Sequence, residues 1–369
     1  MMREHHAELG DAVRAVLGTR RRTDSRPVDE VDLSLWNDLE QLGFTSLTVP
    51  PELGGSGGDL LDAAVILRES ATAAVPLAEA LFLAGPLLAA AGLPLPRGAI
   101  TAAAAENVEL GRDGDGWHLS GAVRAVPWIP GADHVVLLVR RGGRGAVALV
   151  PTGEAGFTVV EGRNLAGEPR GTVLLERVRV AAIEDLGETD WFRRFEMLGA
   201  AARAAQMAGA AGAVLAATRE YVHVRHQFGR PLVAFQAVQH QLARLAADVV
   251  TVEVSSDAAV IALVDDDPHA AVLVCAAKSE ASSLAGSIAS VAHQAHGALG
   301  FTMEHSLGAF TTRLWAWREE YGNELHWWSR IADLVRESDG DLWGLVTGTA
   351  QIRPGDGRID WRVGSGEQG

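Results

Sequence analysis

Between Trp191 and His296 the chain offers almost nothing but helix. Three pieces, Trp191–His226, Ala234–Asp265 and Pro268–His296, are rich in Ala, Leu and Val and lack strand-like alternation. A further helical segment lies beyond Glu304, and Asp265-Asp-Asp-Pro268 is a stop and restart between the second and third pieces. Runs this long with short joins predict an antiparallel four-helix bundle over 185–337. Gly199, Gly209 and Gly212 inside the first run would let a neighbouring element come close. Upstream the period changes twice. Residues 1–96 read as a helical domain, with apolar spacing in Asp32–Leu42 and in Leu60–Ala71, the latter capped by Asp59 or Gly58. Residues 97–184 instead hold short β-type runs, Trp117–Gly121, His134–Val139, Ala146–Val150, Phe157–Val160 and Thr172–Val180, parted by Gly, Pro and Asp clusters. The predicted class is α+β multidomain: an N-terminal helical domain, a central antiparallel β-sandwich or barrel, and a C-terminal four-helix bundle. Residues 338–369 mix Gly, Asp and Arg and are expected to form a flexible or partner-packed tail.

Charge narrows the partners. With 32 basic against 47 acidic residues the formal charge is −15, so nucleic acid and anionic membranes meet a repulsive field. An anionic ligand would need local arginine pockets. The single cysteine, Cys275, excludes an internal disulfide, lies in an apolar helical run, and fits a reducing cytoplasm. Met1–Arg22 lacks a continuous apolar core, and Ala73–Pro96 is interrupted by Pro76, Glu79 and Pro86, so neither an export signal nor a membrane span is expected. Gly54, Gly55, Gly57 and Gly58 resemble a phosphate loop only superficially, since no Gly-Lys-Ser/Thr follows, and are read as a connecting turn.

One segment breaks the helical pattern in a way that packing does not require. Arg225-His-Gln-Phe-Gly-Arg-Pro-Leu-Val-Ala-Phe-Gln-Ala-Val-Gln239 combines Arg, Gln, Gly and Pro where Ala and Leu would suffice. Arg presents a donor fork suited to phosphate, and Gln offers both donor and acceptor to a base or ribose. Phe228-Gly229 before Arg230-Pro231 predicts a helix end, a tight turn and a restart. About 70 residues on, His293-Gln-Ala-His-Gly-Ala-Leu-Gly-Phe-Thr-Met-Glu-His305 again places Gln and spaced glycines at a helix end.

Together these segments resemble the acyl-CoA dehydrogenase family, whose C-terminal domain carries Arg-x-x-Phe-Gly…Phe-Gln-x-x-Gln and a later Gln-x-x-Gly-Gly-x-Gly-(Phe/Tyr). The second stands here as Gln294-Ala-His-Gly-Ala-Leu-Gly-Phe301, and Leu42–Gly58 is similar to the family's N-terminal turn. The resemblance spans roughly residues 30–337. It implies the helical, β, helical architecture that periodicity reaches independently. It also implies FAD as cofactor, an acyl-CoA substrate dehydrogenated between its α and β carbons, and an electron-transfer acceptor. Arg225, Gln227, Phe228, Gln236, Gln294 and Gly297 would receive the FAD pyrophosphate and adenosine of a neighbouring subunit. No metal is implied. His223, His226 and His240 lack a carboxylate at matching spacing.

The family's proton-abstracting glutamate comes from one of two places, and neither is well filled. At the start of the first long C-terminal helix its positions fall on Gly199 and Ala200, and Glu196, nearly a turn earlier, is read as a solvated helix-start residue. In the loop after the Gly-rich segment, Tyr321-Gly322-Asn323 stands in the expected place, and a one-residue shift would make Glu320 the base. The ring-side flavin loop, expected near 101–112, is Thr followed by alanines, and the family's Trp-Ile-Thr stretch aligns with Ala125-Val126-Pro127 beside a displaced Trp128. The across-the-interface set is kept while the ring-side set is lost. The resemblance therefore implies a subunit donating half of a flavin site to a homologous catalytic partner in a heterotetramer. The alternatives are a self-sufficient homotetrameric dehydrogenase using Glu320, and a non-enzymatic scaffold of the same fold. Trp315, Trp317, Trp327 and Trp328 are read as packing between C-terminal helices, with Arg313, Arg318 and Arg330 as candidate anion contacts.

Overall fold

The computed structural model describes residues 4–18, 26, 28, 30–114 and 116–349. The chain begins with α1 (Glu4–Leu17), α2 (Leu33–Gln41) and α3 (Leu60–Glu69). Asp59 starts α3 through a capping box: its carboxylate accepts from Leu61 and Asp62 N–H at 2.9 Å, and Asp62 returns a bond to the Asp59 N–H. His5 and His6 both reach Asp62 Oδ1, at 2.7 and 3.0 Å, and so pin α1 to α3. The glycine-rich stretch is a connecting turn. A Cβ on Gly55 would lie 1.9 Å from the Val49 carbonyl oxygen, so backbone packs there on backbone. After α3 a wide π-type turn, Glu79–Ala84, with every residue buried, runs into α4 (Gly85–Ala91).

The middle of the chain makes two four-stranded sheets: β1 (Ile100–Ala105), β2 (Glu109–Asp113), β3 (Gly116–Pro127), β4 (His134–Arg141), β5 (Arg144–Pro151), β6 (Phe157–Val160), β7 (Arg170–Arg179) and β8 (Ala182–Asp185). Their orders are β1-β4-β5-β8 and β2-β3-β7-β6, with an apolar core between the sheets. All pairings are antiparallel except β1 with β4, which is parallel, Ile100 opposite His134 through Ala105 opposite Val139. This departs from a wholly antiparallel domain. Its cause is local: β1 enters from the helical domain and packs on the π-turn, so its alanines are chosen for close approach rather than strand propensity.

Among the described residues six helices follow: α5 (Trp191–Val224), α6 (Gln236–Val264), α7 (Ala270–His296), α8 (Leu307–Glu319), α9 (Glu324–Glu337) and α10 (Leu342–Thr347). The long helices α5, α6 and α7 pack on one another, α8 closes on α5 and α7, and α9 continues along α7. The predicted fourth member is thus broken at Tyr321 and Gly322, both at positive φ. Of the glycines in α5, Gly209 faces the Arg68 carbonyl, where a Cβ would come within 2.2 Å, whereas Gly199 faces the Tyr321 ring. Cys275 is a buried core residue, and burial pushes its thiol up to about 12. The expected tail from 338 begins with a turn and α10, and 350–369 lie outside the described residues. Among the described residues no helix is long and apolar enough to cross a membrane.

Candidate functional site

A cleft of about 1150 Å³ separates the β domain from the bundle. Its β-domain wall joins Ala102–Ala104, Ala125 and Pro127 of β1 and β3 to the polar residues Arg124, Arg140, Arg163, Asn164 and Arg170, and its helical wall includes Phe195, Trp315, Glu320 and Tyr321. Among the described residues the β1 and β3 part of this wall carries no serine or threonine hydroxyl into the cleft. The nearby Thr101 hydroxyl is buried and donates to the Pro127 carbonyl at 2.7 Å. A register irregularity of β3 between Val123 and Val126 falls at this wall, and Ala125 and Trp128 both have positive φ. Trp128 is buried with the Arg170 guanidinium 5.7 Å from its ring. It is a packing residue in this arrangement.

Glu320 reaches the cleft from the break after α8, but its oxygens are already taken. Oε1 accepts from Arg170 Nε at 2.8 Å and Asn164 Nδ2 at 3.0 Å, while Oε2 accepts from Arg203 Nε at 2.7 Å and Arg170 Nη2 at 3.1 Å. Arg203 in turn donates to Glu79 Oε1 and Gln206 Oε1, each at 2.5 Å, and Arg170 donates to Glu168 Oε2 at 3.0 Å. Glu168 also accepts from Arg313 Nε at 2.8 Å and Trp317 Nε1 at 3.0 Å. Burial would raise the Glu320 carboxyl, but Arg170 and Arg203 outweigh it and hold the group down at about 2. Glu168 is lowered in the same way: burial opposes, and Arg313 and Arg170 prevail. A general base works best near the operating pH, so a carboxylate held this low is a poor proton acceptor.

The linkage has a testable sign. A depressed folded-state value contributes stability above the ordinary carboxylate range, and that contribution is lost as the pH falls from about 4.5 toward about 2. Acid unfolding followed by tryptophan fluorescence should therefore fall steeply in that window, and Glu320→Gln should flatten the dependence.

The second constellation lies at one end of the bundle. The chain leaves α5 into a two-residue hairpin, β9 (His226–Gln227) paired with β10 (Arg230–Pro231), turning through Phe228 and Gly229 at φ 53° and 79°. Two successive left-handed residues suit the twist of so tight a hairpin. Tyr221 ties this end to α7: its hydroxyl donates to the His296 carbonyl at 3.3 Å and its ring stacks on His296 at 4.4 Å. Arg225, Gln227 and Phe228 of the hairpin, Gln236 at the start of α6, and Gln294 and Gly297 at the end of α7 are all exposed here. Phe228 is 91% exposed and Phe301 74%. Gly297 takes φ 61° and ψ −145°, with open space where a Cβ would stand. The side chains of Arg225, Gln227, Gln236 and Gln294 make no protein hydrogen bond among the described residues, in contrast to the saturated Glu320. Free donors beside bare glycine backbone fit the phosphate and adenosine of a dinucleotide, whereas the β1 and β3 part of the cleft wall presents alanine where a flavin ring would meet hydroxyl donors. His223 and His226 turn their Nδ1 atoms to backbone carbonyls of Arg219 and Val224.

Residues 3–93 match the acyl-CoA dehydrogenase N-terminal domain, and residues 193–324 match the acyl-CoA dehydrogenase C-terminal domain. The chain belongs to the acyl-CoA dehydrogenase family. It is similar to acyl-CoA dehydrogenase IpdE2 of Mycobacterium tuberculosis, 31% identical over 313 residues, 82% of this chain and 84% of that protein. Among solved structures it is similar to the ChsE4-ChsE5 complex from Mycobacterium tuberculosis, with a TM-score of 0.80 and 26% identity over 91% of this chain and 98% of that one. It is also similar to the Tcur3481-Tcur3483 steroid ACAD, with a TM-score of 0.78 and 25% identity over 92% and 99%. Acyl-CoA dehydrogenases are flavin-dependent oxidoreductases acting on CH–CH bonds.

Several residues that hold Glu320 and its segment in place were not read from the sequence as site residues: Glu79, Asn164, Glu168, Arg170, Arg203 and Lys278. The available signal was a lone charge inside an apolar run, as in Leu77-Ala-Glu79-Ala-Leu-Phe-Leu and Ala200-Ala-Ala-Arg203-Ala-Ala. Glu196, expected as a solvated helix-start residue, instead pairs with His326 at 3.0 Å and Arg330 at 3.4 Å on the cleft wall. Of the four tryptophans, Trp317 and Trp327 are buried, while Trp328 is half-exposed and Trp315 lines the cleft.

Proposed function

We propose that this chain is an acyl-CoA dehydrogenase subunit that lends half of an FAD site to a homologous catalytic partner and has no proton-abstracting base of its own. The carrying observation is the contrast between a Glu320 carboxylate bound by two arginines and an open bundle end with free Arg225 and glutamines. In the shared site Arg225 would hold the pyrophosphate, Gln227, Gln236 and Gln294 would orient the nucleotide, and Gly297 would let it approach the backbone. Phe228 would seat against the partner. FAD, when bound, supplies the hydride acceptor for the substrate β-carbon. The partner would supply the base, the ring-side contacts and the acyl-CoA cleft. The heteromeric ChsE4-ChsE5 complex and the steroid ACAD among the structural neighbours favour a paired assembly and a bulky, ring-bearing acyl thioester.

Glu320 separates this reading from a self-sufficient enzyme. Coexpressed with its partner, the Glu320→Gln variant is expected to keep activity per assembled complex within a few-fold of normal, because no proton moves there. A loss of about 10²–10⁴-fold, the size typical of a removed general base, would make Glu320 catalytic and sink the proposal. Expressed alone, the chain should be colourless or weakly flavinated and should dehydrogenate no acyl-CoA.

A further inference from the structure

The two places where the family resemblance puts a base meet in this chain. A Cβ on Gly199 would fall 2.4 Å from the Tyr321 ring, so the ring lies directly on bare helix backbone at the cleft floor. The Glu319–Gly322 segment that carries Tyr321 is fastened from behind. The buried Lys278 of α7 donates to the Arg318 carbonyl at 2.8 Å, the Gly322 carbonyl at 2.7 Å and Ser282 Oγ at 3.0 Å. Trp327 Nε1 donates to the Tyr321 carbonyl at 2.9 Å. Phe195 lies 6.3 Å from the Tyr321 ring, and the Arg203 guanidinium 5.6 Å.

Six of the charges around this segment form a linked set. Glu79 comes from the helical domain, Glu168 and Arg170 from the β domain, and Arg203, Arg313 and Glu320 from the bundle. Three carboxylates thus meet three guanidiniums, linked by bonds of 2.5–3.1 Å. A buried charge left for a ligand would stand unmatched until the ligand arrived, and that is costly. Here each of the six charges already has a counter-ion within the protein, while buried Lys278 beside them donates only to neutral groups.

We infer that the Glu319–Gly322 segment narrows the chain's own cleft from its floor and blocks acyl-thioester binding there. Tyr321 covers the helix backbone at Gly199, where the family resemblance puts a base, with Glu320 beside it, and the ionic cluster joins three domains behind them. The inference rests on the half-site reading, since a subunit without its own flavin needs another means of holding its β domain to the bundle.

Hydrogen exchange on the full chain, alone and in its complex, tests this with octanoyl-CoA and FAD as probes. Residues 162–170 and 319–327 of this chain should be equally protected with and without octanoyl-CoA. Glu320→Gln should speed exchange in both segments together, because they belong to different domains joined through that carboxylate. Octanoyl-CoA protecting 319–327 of this wild-type chain would overturn the inference even if the variant failed to fold. So would a Glu320→Gln variant that loosened 319–327 and left 162–170 unchanged. A complex retaining one FAD per pair while either result was seen would remove the occlusion and leave the half-site reading standing.

Discussion

Replacing Arg203 by Met should destabilise the chain by about 3–5 kcal/mol, the loss expected when one member of a buried ion pair is removed and its partner is left charged. Arg203 is 1% exposed, and so is Glu79, whose only hydrogen bond among the described residues is to Arg203. Met keeps much of the length and apolar bulk of the arginine stem, so the change isolates the charge from the packing. The double variant Glu79→Leu, Arg203→Met should recover much of the loss, because Glu320 keeps Arg170 and Asn164 as partners while Glu79 would otherwise have none. Denaturant melts of the four proteins in this cycle give the coupling directly. A single variant within about 0.5 kcal/mol of wild type, the usual range for a surface change, would mean that the cluster is solvated and not a buried link between domains.

The parts of this molecule visible in sequence are those fixed by local periodicity. The bundle helices follow from their Ala-rich apolar spacing, and the turn at Phe228-Gly229 follows from Gly229, which accepts positive φ, and Pro231, which restarts the chain. β1 was missed because Thr101 to Ala105 is nearly all alanine, a composition that favours helix, and the strand exists through burial between the π-turn and β4. The ionic cluster was missed for a different reason. Its bonds join residues far apart in the chain: Glu79 to Arg203 across 124 positions, Arg203 to Glu320 across 117, and Arg170 to Glu320 across 150. No spacing rule reaches that far. A carboxylate placed near a family's catalytic position was therefore legible as a residue but not as a charge state. What decides whether Glu320 accepts a proton is Arg170 and Arg203, and those partners come only from the fold.

At the open end of the bundle the expected effect is on ligand rather than fold. Arg225→Ala should weaken FAD retention in the assembled complex ten- to a hundredfold, the equivalent of losing charge-assisted bonds worth about 1.5–3 kcal/mol. The guanidinium makes no bond to the protein among the described residues, and the structural bonds of Arg225 are its backbone's, which Ala would keep: its N–H donates to the Tyr221 carbonyl and its carbonyl accepts from the Leu232 N–H, each at 2.8 Å. Its removal should therefore leave Tm of the isolated chain unchanged while the complex sheds flavin on gel filtration or dilution. Arg225→Lys should recover only part of the affinity, because an ammonium carries the charge without the bidentate fork. The partner's own ring-side contacts would be untouched, so at saturating FAD the residual activity should return toward normal. Flavin retained at full strength by the Arg225→Ala complex would show that this end of the bundle is not where the cofactor's phosphates lie. A variant that lost flavin together with assembly, by contrast, would place Arg225 in the subunit interface and not at the ligand.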